Sequence, residues 1–177
     1  MIGGITIKNY KKLLLSIVLI FTITGIALTP KDIIQKELSP HMSTWRTKFF
    51  TDTILQESSD LHLDPLLILA LMKAESNYKN VFGDSGKAVG YFQLHKNAVV
   101  FVQRFYPELE YVKHENLPRL LKAQIQIACR YIWLINTYIT FGNIRATLDR
   151  WNGSKPYGQL SFRVLTYYAE FLQEVTE

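Results

Sequence analysis

From Thr44 onward, apolar residues recur at helical spacing, and no stretch of strand length alternates apolar and polar positions between turn signals. That pattern predicts a mainly α domain. One helix is expected over 44–59, with Phe50, Ile54 and Leu55 facing inward. The run "DLHLDP" breaks it, and Asp64 then caps a second helix with Pro65 at its first position. This second helix, "PLLILALMKAES", is apolar on nearly every side up to Lys73, so it should lie at the centre of the fold. It is expected to end near Glu75–Asn77, with a loop over 80–90. Further helices are predicted over 96–105 and 117–139, then from a cap at Asn143 through Trp151, and last over 160–174, with a break at Phe141-Gly142.

A different pattern precedes the domain. Residues 13–28, "LLLSIVLIFTITGIAL", carry no charge and follow Lys11-Lys12. A basic flank before an apolar run marks a secretory leader, and Gly25-Ile26-Ala27 offers small residues for cleavage. The run is also close to the length of a membrane span. Residues 1–29 are therefore expected to be a signal peptide or a membrane anchor. In both cases the lysines stay inside and the rest of the chain is exported, to the periplasm or cell envelope. Residues 30–43, with Pro30 and Pro40, read as a polar connector, and 44–177 as the folded domain.

Composition narrows the function classes. The chain has 177 residues, 48% of them hydrophobic, enough for one domain with a real core. Its net charge of +5 owes much to Lys8, Lys11 and Lys12; without them 17 basic residues face 15 acidic ones. A nucleic-acid module, which needs a basic face on its folded part, is not indicated. The single cysteine, Cys129, lies in an apolar helical stretch and reads as a buried thiol. His41, His62, His95 and His114 lack ligand spacing, so no metal site is expected; His95, just past Gln93, reads as a solvated helix start, with contact to the groove as the alternative. Tyr131, Trp133 and Tyr138 stand at helical spacing and read as core, with a sugar-binding platform as the alternative.

Two stretches carry candidate chemistry. Glu75 sits at the C-terminal end of the most apolar helix of the domain. The negative end of the helix dipole and apolar surroundings both disfavour its ionised form and push its pKa upward. Such a carboxyl either reaches solvent as the helix ends or serves as a general acid, the group that glycosidic cleavage requires. Downstream, "GKAVGYFQL" places Gly86 and Gly90 around a turn and then Gln93, whose amide can donate to and accept from sugar hydroxyls.

Taken together, these residues resemble the lytic transglycosylase family with the goose-lysozyme-like fold. The family motif is a Glu-Ser pair, an aromatic residue three positions after the Glu, then Gly-Ala-x-Gly-x-x-Gln. This chain has Glu75-Ser76, Tyr78, and Lys87-Ala88-Val89-Gly90-Tyr91-Phe92-Gln93, with Gln93 eighteen residues after Glu75 as in the family. "LDPLLILALMKAES" looks like the family's helix leading into the catalytic Glu. "ATLDRWNGS" stands where the family has a helix ending in Tyr-Asn-Ala-Gly, with Trp151 and Asn152 taking the aromatic and the Asn. The resemblance covers about residues 49–168.

The resemblance implies a compact lysozyme-like helical domain that cleaves the β-1,4 bond between N-acetylmuramic acid and N-acetylglucosamine in peptidoglycan. It implies Glu75 as the single acid/base, Ser76 orienting Glu75, Gly90, Tyr91 and Gln93 lining the groove, and Trp151 with Asn152 binding a sugar. No cofactor and no metal are implied. The partners implied are glycan strands, the inner membrane where the leader stays uncleaved, and a secretion-apparatus or phage context.

The chain departs from the family at several points. Asp84 replaces the usual Ser nine residues after the Glu, Lys87 replaces a Gly, and Trp-Asn-Gly-Ser replaces Tyr-Asn-Ala-Gly. A further site Tyr of the family falls on Leu160; Tyr157 is the nearby substitute. Asp84 opens an alternative, because "GDSGKAVGYFQ" fits the pattern of goose-type lysozymes, in which an acidic residue positions water for hydrolysis. A non-catalytic wall-binding or assembly protein on the same fold is the other alternative. A serine nucleophile at Ser85 is not supported, because no second glycine completes the elbow and the chain is helical rather than a β-barrel. A phosphate loop fails as well, with Val81 in place of its first Gly and Ala88 in place of Ser/Thr.

Overall fold

The computed structural model describes residues 27–151, 153 and 158–176. Residues 1–26, with most of the apolar run, lie outside them; among the described residues no helix is long and apolar enough to cross a membrane. The fold is mostly helical: α1 (Pro30–Leu38), α2 (Thr44–Asp60), α3 (Pro65–Ser76), α4 (Lys96–Gln103), α5 (Leu121–Leu134), α6 (Ile144–Trp151) and α7 (Gln159–Thr176). A small antiparallel sheet, β1 (Val81–Gly83), β2 (Ala88–Gly90) and β3 (Leu94–His95), is inserted between α3 and α4.

Helix α3 is the axis of the domain. Asp64 caps it by accepting from the Leu66 amide at 2.8 Å, and Pro65 occupies the first turn, where its missing N–H costs nothing. Every residue from Leu66 to Met72 is buried, as a helix apolar on all sides requires. α7 packs against it most extensively, and α1 and α2 close the other sides. The helix ends where Asn77 turns left-handed (φ 49°) and its amide caps back to the Lys73 carbonyl at 2.9 Å.

Two segments differ from the sequence expectation. Residues 30–43 are not a connector. Thr29 and Asp32 form a reciprocal capping box, and the resulting helix α1 buries Ile33, Ile34 and Leu38 completely in the core. The prolines misled, because Pro30 starts this helix and Pro40 lies beyond its end. Residues 80–90 are not all loop either. Val81 pairs with Gly90, Phe82 with Val89 and Gly83 with Ala88, in strands too short for alternation to register.

Two polar networks fix the geometry near the end of α3. Glu37 of α1 accepts from Lys73 Nζ at 2.8 Å and from Tyr78 Oη at 2.9 Å. Burial and the neighbouring Glu37 carboxylate push the Tyr78 phenol up, so it remains a donor. Behind the sheet, fully buried Gln124 of α5 accepts from the Tyr91 amide at 2.8 Å and donates to the Leu117 carbonyl at 2.7 Å.

Because α1 is core rather than linker, Ile34→Ala is expected to cost about 2–4 kcal/mol in urea unfolding. A cost near zero would return residues 30–43 to the role of connector.

Candidate functional site

Helices α3, α4, α5 and α6 and the small sheet meet at a cleft of about 450 Å³. Glu75 comes from the last turn of α3. Asp84, Ala88, Gln93, Leu94 and His95 come from the sheet and its turns. Tyr131 comes from α5, and Arg150, Trp151 and Gly153 from the end of α6 and just beyond.

Glu75 is half-buried, and Trp151 Nε1 donates to its Oε1 at 2.6 Å. This hydrogen bond joins residues 76 positions apart and is the direct link between α3 and α6 at the cleft. Burial pushes the Glu75 carboxyl up to about 7; the Trp151 hydrogen bond and the Arg163 guanidinium on α7 hold it from rising further. Near neutral pH the group is divided between its acid and its base form, which suits a residue that must first give and then take a proton.

The sheet is shaped to bring its turns to this wall. Gly90 has φ +82°, and a Cβ there would lie 2.1 Å from Gln124 Oε1, so a glycine is required on both counts. The next turn places Gln93 at φ 45°. Its Nε2 donates to the Gly90 carbonyl at 2.8 Å and to the Val81 carbonyl at 3.0 Å. Both amide hydrogens are thereby used to brace the hairpin, and only Oε1 remains to accept from a ligand. Asp84 stands on the β1–β2 turn, exposed and with φ 46°, and lines the same cleft.

Several expectations require correction. Ser76 does not orient Glu75: its Oγ donates to the Tyr91 carbonyl at 2.7 Å and accepts from the Lys79 amide at 3.2 Å, so it ties α3 to the sheet. Tyr91 does not line the groove; it is buried, with its ring edge-on to Phe50 at 4.7 Å. Gly90 is buried behind the cleft rather than in its wall. Asn152 and Tyr157 lie outside the described residues. Ser85 is exposed on the turn and is not part of the cleft lining.

Tyr131 is the residue the sequence hid. Helical spacing marked it as core, yet it is half-buried in the cleft wall, with its ring 5.3 Å from that of Trp151. Arg150, next to Trp151, lines the cleft as well. Among the described residues, no group of three His, Cys, Asp or Glu side chains gathers to hold a metal ion.

No family model and no curated protein sequence matches the chain. Among solved structures, it is similar to the X-ray structure of an inactive mutant of the lytic transglycosylase Slt from Pseudomonas aeruginosa. The TM-score is 0.60 and the sequence identity 15%, over 71% of this chain. The chain spans 24% of the length of that protein. A likeness at this identity concerns the fold, and that fold is the mostly helical, lysozyme-like one expected from the sequence.

The raised Glu75 pKa has a consequence for stability. The folded state holds this proton more tightly than the unfolded chain does, so stability falls as pH rises from about 4.5 to about 7. Glu75→Gln removes the group that titrates. The variant is expected to exceed the parent in stability above pH 7 by on the order of 2 kcal/mol. In thermal or urea unfolding that gain should vanish towards pH 4.5. An identical pH dependence for the two chains would contradict the burial of this carboxyl.

Proposed function

We propose that this chain is an exported peptidoglycan lytic transglycosylase with Glu75 as its single acid/base. The observation that carries the reading is the half-buried Glu75 carboxyl in the wall of the cleft, held by Trp151 and raised to about 7. The lysozyme-like fold supports it. The leader sequence supports export to the periplasm or cell envelope, with attachment to the inner membrane where it is not cleaved.

The chemistry proceeds in two proton transfers. Protonated Glu75 gives its proton to the oxygen linking C1 of N-acetylmuramic acid to C4 of N-acetylglucosamine as the C1–O bond breaks. The resulting carboxylate takes the proton of the C6 hydroxyl of the same muramyl residue. That oxygen closes onto C1 and leaves a 1,6-anhydro end. The carboxyl is restored and no water is consumed. The nucleophile belongs to the substrate, so one carboxyl suffices and no cofactor takes part. Trp151 fixes the orientation of Glu75 throughout, and Tyr131 and the Gln93 Oε1 face the sugar chain.

Asp84 favours a second reading, because it lines the same cleft. A water held by Asp84 opposite Glu75 would give hydrolysis with inversion, the outcome for carboxyls about 6.5–9.5 Å apart. Digestion of purified peptidoglycan with analysis of the new ends separates the two. Anhydro ends are expected; free reducing ends would replace transglycosylation by hydrolysis. Glu75→Gln is expected to lower the rate about 10²–10⁴-fold. Wall binding without cutting by the parent itself would make the protein a binding module.

A further inference from the structure

A second cleft, of about 270 Å³, lies away from Glu75 and shares no lining residue with the first. Trp45 and Phe49 at the start of α2 form one side, with their rings stacked at 5.4 Å and 17°. Tyr111 forms another, and Arg119, just before α5, and Lys122, in its first turn, complete it. Trp45 is 64% and Tyr111 65% exposed. Two large aromatic faces left in water beside a cleft mark a contact surface rather than core. Arg119 and Lys122 are also exposed, and neither enters an ion pair among the described residues. Aromatic plates with a cationic rim complement a ligand that offers flat apolar ring faces and carboxylates together.

We propose that this cleft is a second glycan-binding site, which holds a peptide-bearing peptidoglycan strand outside the catalytic groove. The choice of ligand rests on the function proposed above. Pyranose rings supply the apolar faces for Trp45 and Tyr111, and the carboxylates of the peptide stems supply the partners for Arg119 and Lys122. The two clefts lie along one helix: Leu121 lines this one and Tyr131 the groove. At 1.5 Å per residue these positions are about 15 Å apart along α5. A strand engaged at the Trp45 cleft therefore stays close to Glu75, and binding in the groove becomes an intramolecular step at high effective concentration.

The three tryptophans, Trp45, Trp133 and Trp151, provide a direct readout through their indole N–H signals in NMR spectra. The probe is a soluble, multi-disaccharide peptidoglycan fragment with intact peptide stems, titrated into the Glu75→Gln chain so that nothing is cut. The Trp151 and Trp45 signals are both expected to move, while Trp133 serves as the reference. Trp45→Ala should weaken binding of the long fragment at least about tenfold and leave a single disaccharide unaffected. Because Trp45 is largely exposed, this variant leaves the core intact. Arg119→Gln should weaken binding of the stem-bearing fragment and not of the same fragment stripped of its stems.

Movement of Trp151 with a silent Trp45 overturns the second site alone and leaves that face to a protein partner. Silence of both signals overturns glycan as the ligand of either cleft, and the proposed function with it. Equal loss for stripped and intact fragments in Arg119→Gln overturns the role of the cationic rim.

Discussion

The structure depends on where one carboxyl is kept. Glu75 lies in the last turn of a helix buried from Leu66 to Met72, and its ionised form is disfavoured by its own burial there. A hydrogen bond from Trp151 and the charge of Arg163 offset part of the cost without cancelling it. A stronger partner such as a buried salt bridge would hold the group ionised and useless as an acid near neutral pH. An indole N–H is a weaker compromise: it fixes the orientation of the carboxyl and leaves its proton affinity high.

The rest of the fold holds that compromise in place. α1 reaches the end of α3 through Glu37, which grips Lys73 and Tyr78 on either side of Glu75 in sequence. Ser76 ties the same turn to the sheet through the Tyr91 carbonyl. Gln124 fixes the Tyr91 amide from behind, and Gln93 braces the hairpin with both of its amide hydrogens. The polar residues flanking Glu75 are thus committed to backbone and to one another. The cleft they frame holds the half-buried Glu75 carboxyl, the rings of Tyr131 and Trp151, and the exposed side chains of Asp84, His95 and Arg150.

Much of this was legible in the sequence, and the failures have physical causes. The central helix, its Asp64-Pro65 start and its end beside Glu75 followed from composition and capping, because one uninterrupted apolar stretch can lie only at the centre. The raised proton affinity of Glu75 followed from the same placement. Helix α1 was missed because nine residues with a modest apolar stripe between two prolines carry the same signal as a linker. The strands were missed because two or three residues are too few to show a period of two. Motif position put Ser76 against Glu75 and Tyr91 in the groove, although the turn between α3 and the sheet directs one to backbone and the other to the core. Tyr131 was missed because spacing along a helix cannot say whether the inward face meets core or cleft.

The proton affinity of the Glu75 side chain can be observed directly. Carbon-13 NMR of the Glu75 side-chain carboxyl, assigned by its absence in Glu75→Gln, follows its titration without any assay of activity. A midpoint near 7 is expected, moving further upward when Trp151→Phe removes the hydrogen bond. A midpoint near the ordinary glutamate value of about 4.3 would contradict it.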